Sequence, residues 1–117
     1  MESQIWLVGL GGFLGAITRY WVNLTFTKNR LFPLGTFIVN ITGSFLMGIL
    51  IGNEWIPGSV TLLAGTGFLG AYTTFSTFTF ELFLLKKNQQ QFLFILYLIS
   101  SYFLGFLLAG LGYWISS

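Results

Sequence analysis

Four long apolar stretches alternate with short polar ones along the chain: about Ile5 to Leu24, Leu34 to Ile51, Val60 to Leu85 and Phe92 to Ile115. The segments between them are brief. Thr25–Pro33 carries Lys28, Asn29 and Arg30, Gly52–Ser59 carries Asn53, Glu54 and Pro57, and Lys86–Gln91 is polar throughout. Each stretch is near or above the ~20 residues that a helix needs to cross a hydrocarbon core of ~30 Å. Unpaired backbone amides are costly in lipid, so stretches this apolar predict helices. A β-barrel would alternate in segments of about ten residues, and the sequence has no such pattern. The expected fold is an all-α membrane protein, a single unit over residues 1–117 with four transmembrane helices joined by tight hairpins.

The third stretch departs from this regularity. Between Gly65 and Glu81 it holds Gly65, Gly67 and Gly70, followed by Thr73, Thr74, Ser76, Thr77 and Thr79. Glycines followed by clustered hydroxyls make a poor continuous helix. One reading is that the hydroxyls bond back to carbonyls of the preceding turn. The other is a helix broken near its middle, tolerated at membrane depth only where it is buried or lines a polar cavity, with freed carbonyls of the kind that hold small cations. Glycine pairs elsewhere, Gly11/Gly15 and Gly48/Gly52, with Gly67/Ala71 and Gly105/Ala109, predict close helix contacts within the bundle or between subunits.

Composition agrees with the pattern. Hydrophobic residues make up 55% of the 117, aromatics 20% and charged residues only 7%, well below the ~25% of soluble domains. With no Cys and no His, thiol chemistry, disulfides and Cys/His metal sites are excluded, and an enzyme is not expected. Met1-Glu2 lacks the basic start of a cleaved leader, so none is expected. The five basic residues are Arg19, Lys28, Arg30, Lys86 and Lys87, all in or beside the first and third connections. Positive-inside reasoning places those connections in the cytoplasm and both termini outside. The basic residues serve orientation, and no nucleic-acid partner is expected.

A few polar and aromatic positions can carry chemistry. Asn40 is the one amide inside the apolar second stretch, with Thr36 and Ser44 four residues away on the same face. It joins helices or lines a pathway, where its NH₂ supplies two donors to an anion. Phe75 and Phe78 are three apart and share a helix face. Ring edges are positive, so two together attract a small anion without a formal charge. Arg19 snorkels to the interface, bonds a helix C-terminus or Glu81, or draws anions toward a vestibule.

Three segments taken together resemble the Fluc (CrcB) fluoride channels: Gly11-Gly12-x-x-Gly15-Ala16-x-x-Arg19-Tyr20, Gly35-Thr36-x-x-Val39-Asn40-x-x-Gly43-Ser44-Phe45, and Gly67 to Phe78. In the third, Ala71-Tyr72 stands where the family pattern has Gly followed by an apolar residue. The resemblance implies an antiparallel dimer of four-helix subunits with two narrow pores and passive, selective fluoride conduction. It implies that Asn40 donates to fluoride in the pore, that Phe75 and Phe78 form an aromatic box, and that Ser76 and Thr77 belong to a polar track. By the same resemblance, Gly70 and Thr73 offer backbone carbonyls to a central structural Na⁺ shared with the partner. Glu81 and Arg19 are expected near the cytoplasmic vestibule, and Tyr97 completes the polar track. The one-sided basic residues add an expectation of one fixed orientation, hence a heterodimer with a homologous chain inserted oppositely, with a homodimer as the alternative if the chain inserts both ways. Two rivals are a small multidrug-type proton-coupled transporter and a non-conducting assembly subunit. The first requires a carboxylate deep in a helix, whereas Glu81 lies toward the end of its span. The second leaves Asn40 with Phe75 and Phe78 unexplained.

Overall fold

The computed structural model describes residues 2–26 and 32–117, and among them the chain is helical with no strand. The first helix is Glu2–Phe26, the second Leu34–Gly52 and the fourth Gln91–Ser116; the third span, Gly58–Lys87, is interrupted. All four are long and apolar enough to cross a membrane. Helix ends run up to three residues past the expected boundaries, because residues such as Lys86 and Lys87 complete a last turn where water can satisfy its carbonyls. Lys28 and Arg30, on which part of the orientation argument rests, lie outside the described residues.

The third span is more irregular than its sequence suggests. After a single α turn at Gly58–Val60 it widens into a π-helix over Thr61–Leu69, tightens again at Gly70–Tyr72, and breaks. Thr73 and Thr74 are extended (ψ 156° and 124°), and an α-helix resumes over Phe75–Lys87. The break falls where glycine and hydroxyl density predicts it. The π-winding was not anticipated, since such stretches are rare and mostly single-turn. The turn into the fourth helix is closed by two backbone bonds, Gln90 N–H to Leu85 O (2.9 Å) and Gln89 N–H to Lys86 O (3.1 Å). Gln89 sits there at φ 60°, in the left-handed region.

Glycines seat the helices in two pairs. A Cβ on Gly11 would lie 2.1 Å from Leu63 O, and one on Gly15 would lie 2.1 Å from Phe68 O, so the first helix lies backbone to backbone on the wide-wound stretch. A Cβ on Gly48 would lie 2.1 Å from Ala109 O, and one on Gly112 would lie 2.4 Å from Phe45 O, which joins the second and fourth helices in the same way. The small-residue pairs therefore serve packing within one chain, where lipid supplies no hydrophobic drive and close backbone approach must replace it. After its break, the third span leaves the first helix and packs against the fourth.

The outer surface is apolar. Ile95, Ile99, Phe103, Phe106 and Leu107 on the fourth helix are exposed, as are Leu10, Phe13, Leu14 and Ile17 on the first. Trp6, Trp55 and Trp114 stand exposed at the end carrying the termini, and Tyr20 and Trp21 toward the other, an arrangement suited to two membrane interfaces. The molecule is 47 Å long, enough to span the core and both headgroup regions.

Candidate functional site

The second helix holds the break in the third span residue by residue. Asn40 Nδ2 donates to Thr74 O (3.0 Å), and Asn40 Oδ1 accepts from Thr74 N–H (2.8 Å), so the carboxamide pairs with one residue as a peptide group would. Gly43 makes room for Thr73, whose Cγ2 would lie 2.2 Å from a Cβ there. Tyr72 and Thr42 meet hydroxyl to hydroxyl at 3.0 Å. Asn40 thus joins helices, and one hydrogen of its NH₂ is left over for another acceptor.

The hydroxyls divide between the two roles that the sequence left open. Thr73 Oγ1 bonds back to Leu69 O (2.9 Å) and Thr79 Oγ1 to Phe75 O (2.9 Å). Thr74 Oγ1 instead accepts from Thr77 N–H (3.2 Å), capping the resumed helix. Two N–H groups are thereby diverted: Thr74 N–H, which in a continuous helix would reach Gly70 O, and Thr77 N–H, which would reach Thr73 O. The carbonyls of Gly70 and Thr73 lose their helical donors because Asn40 and Thr74 take them.

Beside the break, an open groove of about 420 Å³ runs between the second, third and fourth spans. It is lined by Asn40, Thr73, Phe75 and Phe78 from the sequence reading, together with Ser101 and Tyr102. Phe75 and Phe78 are 6.4 Å apart between centroids and tilted by 44°, yet their surroundings differ. Phe78 is 5% exposed, edge-on to Tyr97 (4.9 Å) and Tyr102 (5.9 Å), whereas Phe75 is 69% exposed. Within one chain they are one packed ring and one presented ring.

Below Phe78, Tyr97 is completely buried and donates to Glu81 Oε1 at 2.9 Å. Thr36, also completely buried, lies beside this pair with its hydroxyl close to both groups. Phe32 and Phe37 close the cluster around the Tyr97 ring. Ser76 and Thr77 do not line the groove: Ser76 is exposed with its hydroxyl 3.5 Å from that of Thr74, and Thr77 contributes its N–H to the cap. Arg19 is half-buried on the first helix and does not line the groove, and Glu81 meets Tyr97 instead. The sequence reading missed Ser101 and Tyr102. Ser101 is a buried hydroxyl with no partner among the described residues, and the Ser100-Ser101-Tyr102 interruption of an otherwise apolar helix was its available signal.

The open groove thus brings together neutral hydrogen-bonding groups and aromatic rings, with no charged residue among its lining. Residues 6–113 match the family model described as CrcB-like protein, Camphor Resistance (CrcB). Among curated relatives, the fluoride-specific ion channel FluC 2 of Bacillus cereus is 50% identical over 108 residues, covering 91% of each chain. The fluoride-specific ion channel FluC 1 of Ligilactobacillus salivarius is 46% identical, covering 92% of this chain and 95% of its own. That of Geobacillus kaustophilus, also FluC 1, is 45% identical over 91% of both.

Proposed function

The chain belongs to the CrcB family, and from that membership we propose that it is a subunit of a fluoride-selective channel that lowers cytoplasmic fluoride by passive export. It is a multi-pass membrane protein and a channel component, not an enzyme. The observation that carries the reading is the convergence of Asn40, Phe75 and Phe78 on one groove beside a helix break.

Fluoride is small and strongly hydrated, so a conducting path must replace its water with donors that also let it go. The spare Asn40 N–H, the unpartnered Ser101 hydroxyl and the ring edges of Phe75 and Phe78 are neutral and meet that requirement. A fixed cation in the groove would hold the ion more strongly. On the family pattern, Ser76, Thr77 and Tyr97 belong to a polar track that lies beside the groove rather than on its lining, and Glu81 and Arg19 belong to the cytoplasmic vestibule.

The groove is open, and Phe75 is largely exposed beside it. An antiparallel partner closes the groove into a pore and covers Phe75, completing the aromatic box. The basic residues assign this chain one orientation in the plasma membrane, with both termini outside, so the partner is a homologous chain of opposite topology. The carbonyls of Gly70 and Thr73 suit a structural Na⁺ shared across the dimer. They are hard oxygen donors released from helical bonding, and Gly70 is exposed, with only Gly65 O within 4 Å of a Cβ placed there. When bound, the ion supplies positive charge that holds the broken ends together.

The test is fluoride efflux from liposomes, read with an ion-selective electrode, for the chain alone and with its homologue. Selective efflux over chloride is expected on co-reconstitution and is lost in Asn40→Ala. Fast efflux from the chain alone would retain the channel and remove the heterodimer. Silence from folded protein in both preparations would overturn the channel reading.

A further inference from the structure

We propose that the Tyr72–Thr42 hydroxyl pair is a latch that positions the carbonyls of the helix break, and so sets how strongly the break holds its cation. This inference rests on the Na⁺ reading above and assigns a positioning role to two residues that it did not use.

Tyr72 is the last helical residue before the break, next to Thr73, and is 8% exposed. Its ring stacks on Phe68 (5.7 Å, 18°), which fixes the direction of the phenol. At the far end its hydroxyl lies 3.0 Å from Thr42 Oγ1. Thr42 spends its own proton on Ile38 O at 2.6 Å, so Tyr72 is the donor and Thr42 Oγ1 the acceptor. Both hydroxyls are thus directed.

The latch complements the Asn40 clamp. Asn40 fixes Thr74, after the diverted carbonyls, and Tyr72 fixes the turn between them. Gly43 lies between the two tethers and receives Thr73, with the Tyr72 ring 3.4 Å from a Cβ placed there. With one tether alone, the Gly70–Thr73 segment could rotate about its remaining anchor. With both, its carbonyl directions are set by the second helix. Positioning of this kind matters most for an ion held by main-chain oxygens, because they have no side-chain rotamers with which to adjust.

The experiment titrates Na⁺ against a large organic cation at constant ionic strength. It reads thermal stability and dimer fraction in detergent, with fluoride efflux as a second readout. Tyr72→Phe keeps the stacked ring and removes only the donor. Its half-saturating Na⁺ concentration is expected to rise on the order of fivefold, the factor matching one neutral hydrogen bond. Thr42→Val should shift it equally, the double variant no further, and Thr42→Ser not at all. If Tyr72→Phe loses stability equally in both cations with an unchanged midpoint, the pair is merely structural and the latch is wrong. Additive shifts in the double variant would overturn it too. A wild type indifferent to Na⁺ removes the cation reading itself, and the latch with it. That outcome is distinguishable because it appears before any variant is made.

Discussion

The two halves of the third span solve the problem of packing in lipid in opposite ways. Before the break, Thr61–Leu69 is wide-wound and glycine-bearing, and it meets the first helix through main-chain atoms at Gly11, Gly15 and Gly67. After it, Phe75–Lys87 is an ordinary α-helix that meets its neighbours through side chains: Phe78 on Tyr97 and Tyr102, and Glu81 on the Tyr97 hydroxyl. The first half gains stability from the absence of side chains, the second from their shape and polarity. The groove is lined mainly by the break and the start of the second half, and Leu69 alone comes from the first. The main-chain half anchors, and the side-chain half lines the groove.

The sharpest way to break this contrast is to add an atom to the first half. Gly15→Ala puts a methyl at 2.1 Å from Phe68 O, which cannot yield as a side chain would, and a loss of about 3 kcal/mol is expected in detergent unfolding. Gly9→Ala, with nothing within 4 Å, is the control and should gain ~0.5 kcal/mol from helix propensity. Equal losses at both sites would mean that main-chain approach is not what anchors the first half.

The second half should fail by subtraction. Phe78→Ala is expected to cost about 2 kcal/mol, less than the ~3–5 of a water-soluble core, because lipid is as apolar as the cavity's lining and only packing is lost. Phe75→Ala should leave monomer stability within ~0.5 kcal/mol while reducing fluoride efflux on the order of tenfold. Comparable stability losses for the two rings would contradict their different burial.

The break joins the halves, and Asn40 tests the joint. Asn40→Ala leaves the Thr74 N–H and carbonyl without side-chain partners and should cost about 1–2 kcal/mol, with efflux falling at least about tenfold. Asn40→Asp should be as damaging, since it replaces the donor that meets Thr74 O with an acceptor. A separate effect is expected outside the contrast. Gln89→Gly relieves a left-handed residue in the turn and should add ~1 kcal/mol without altering efflux.

The number of spans, their limits and the site of the break were legible because each follows from local composition: apolar length for the first two, glycine beside hydroxyl for the third. Asn40 was legible as a polar residue in a costly place, though its partner, the Thr74 backbone, was not. Main-chain groups carry no sequence signature, so a side chain that bonds them gives no hint of its target. The π-winding at Thr61–Leu69 was hidden for a related reason. It depends on how closely the first helix approaches, and glycine spacing permits several windings without choosing among them. Phe75 and Phe78 share a helix face by spacing, but burial separates them because only Phe78 falls under Tyr97.

One consequence of the Asn40 carboxamide concerns which parts of this chain can change length. A side chain that stands in for a peptide group ties a point on one helix to a point on another, so the interval from Asn40 to Gly48 behaves as a ruler. Inserting one residue there would slide Asn40 by ~1.5 Å and turn it by ~100° relative to the seat of Ala109. The break and the helix pair could no longer be satisfied together. The connections at 53–57 and 88–90 bear no such gauge. Insertions in the family should collect in those turns, and the chain between its two seats should keep its count even where its letters differ.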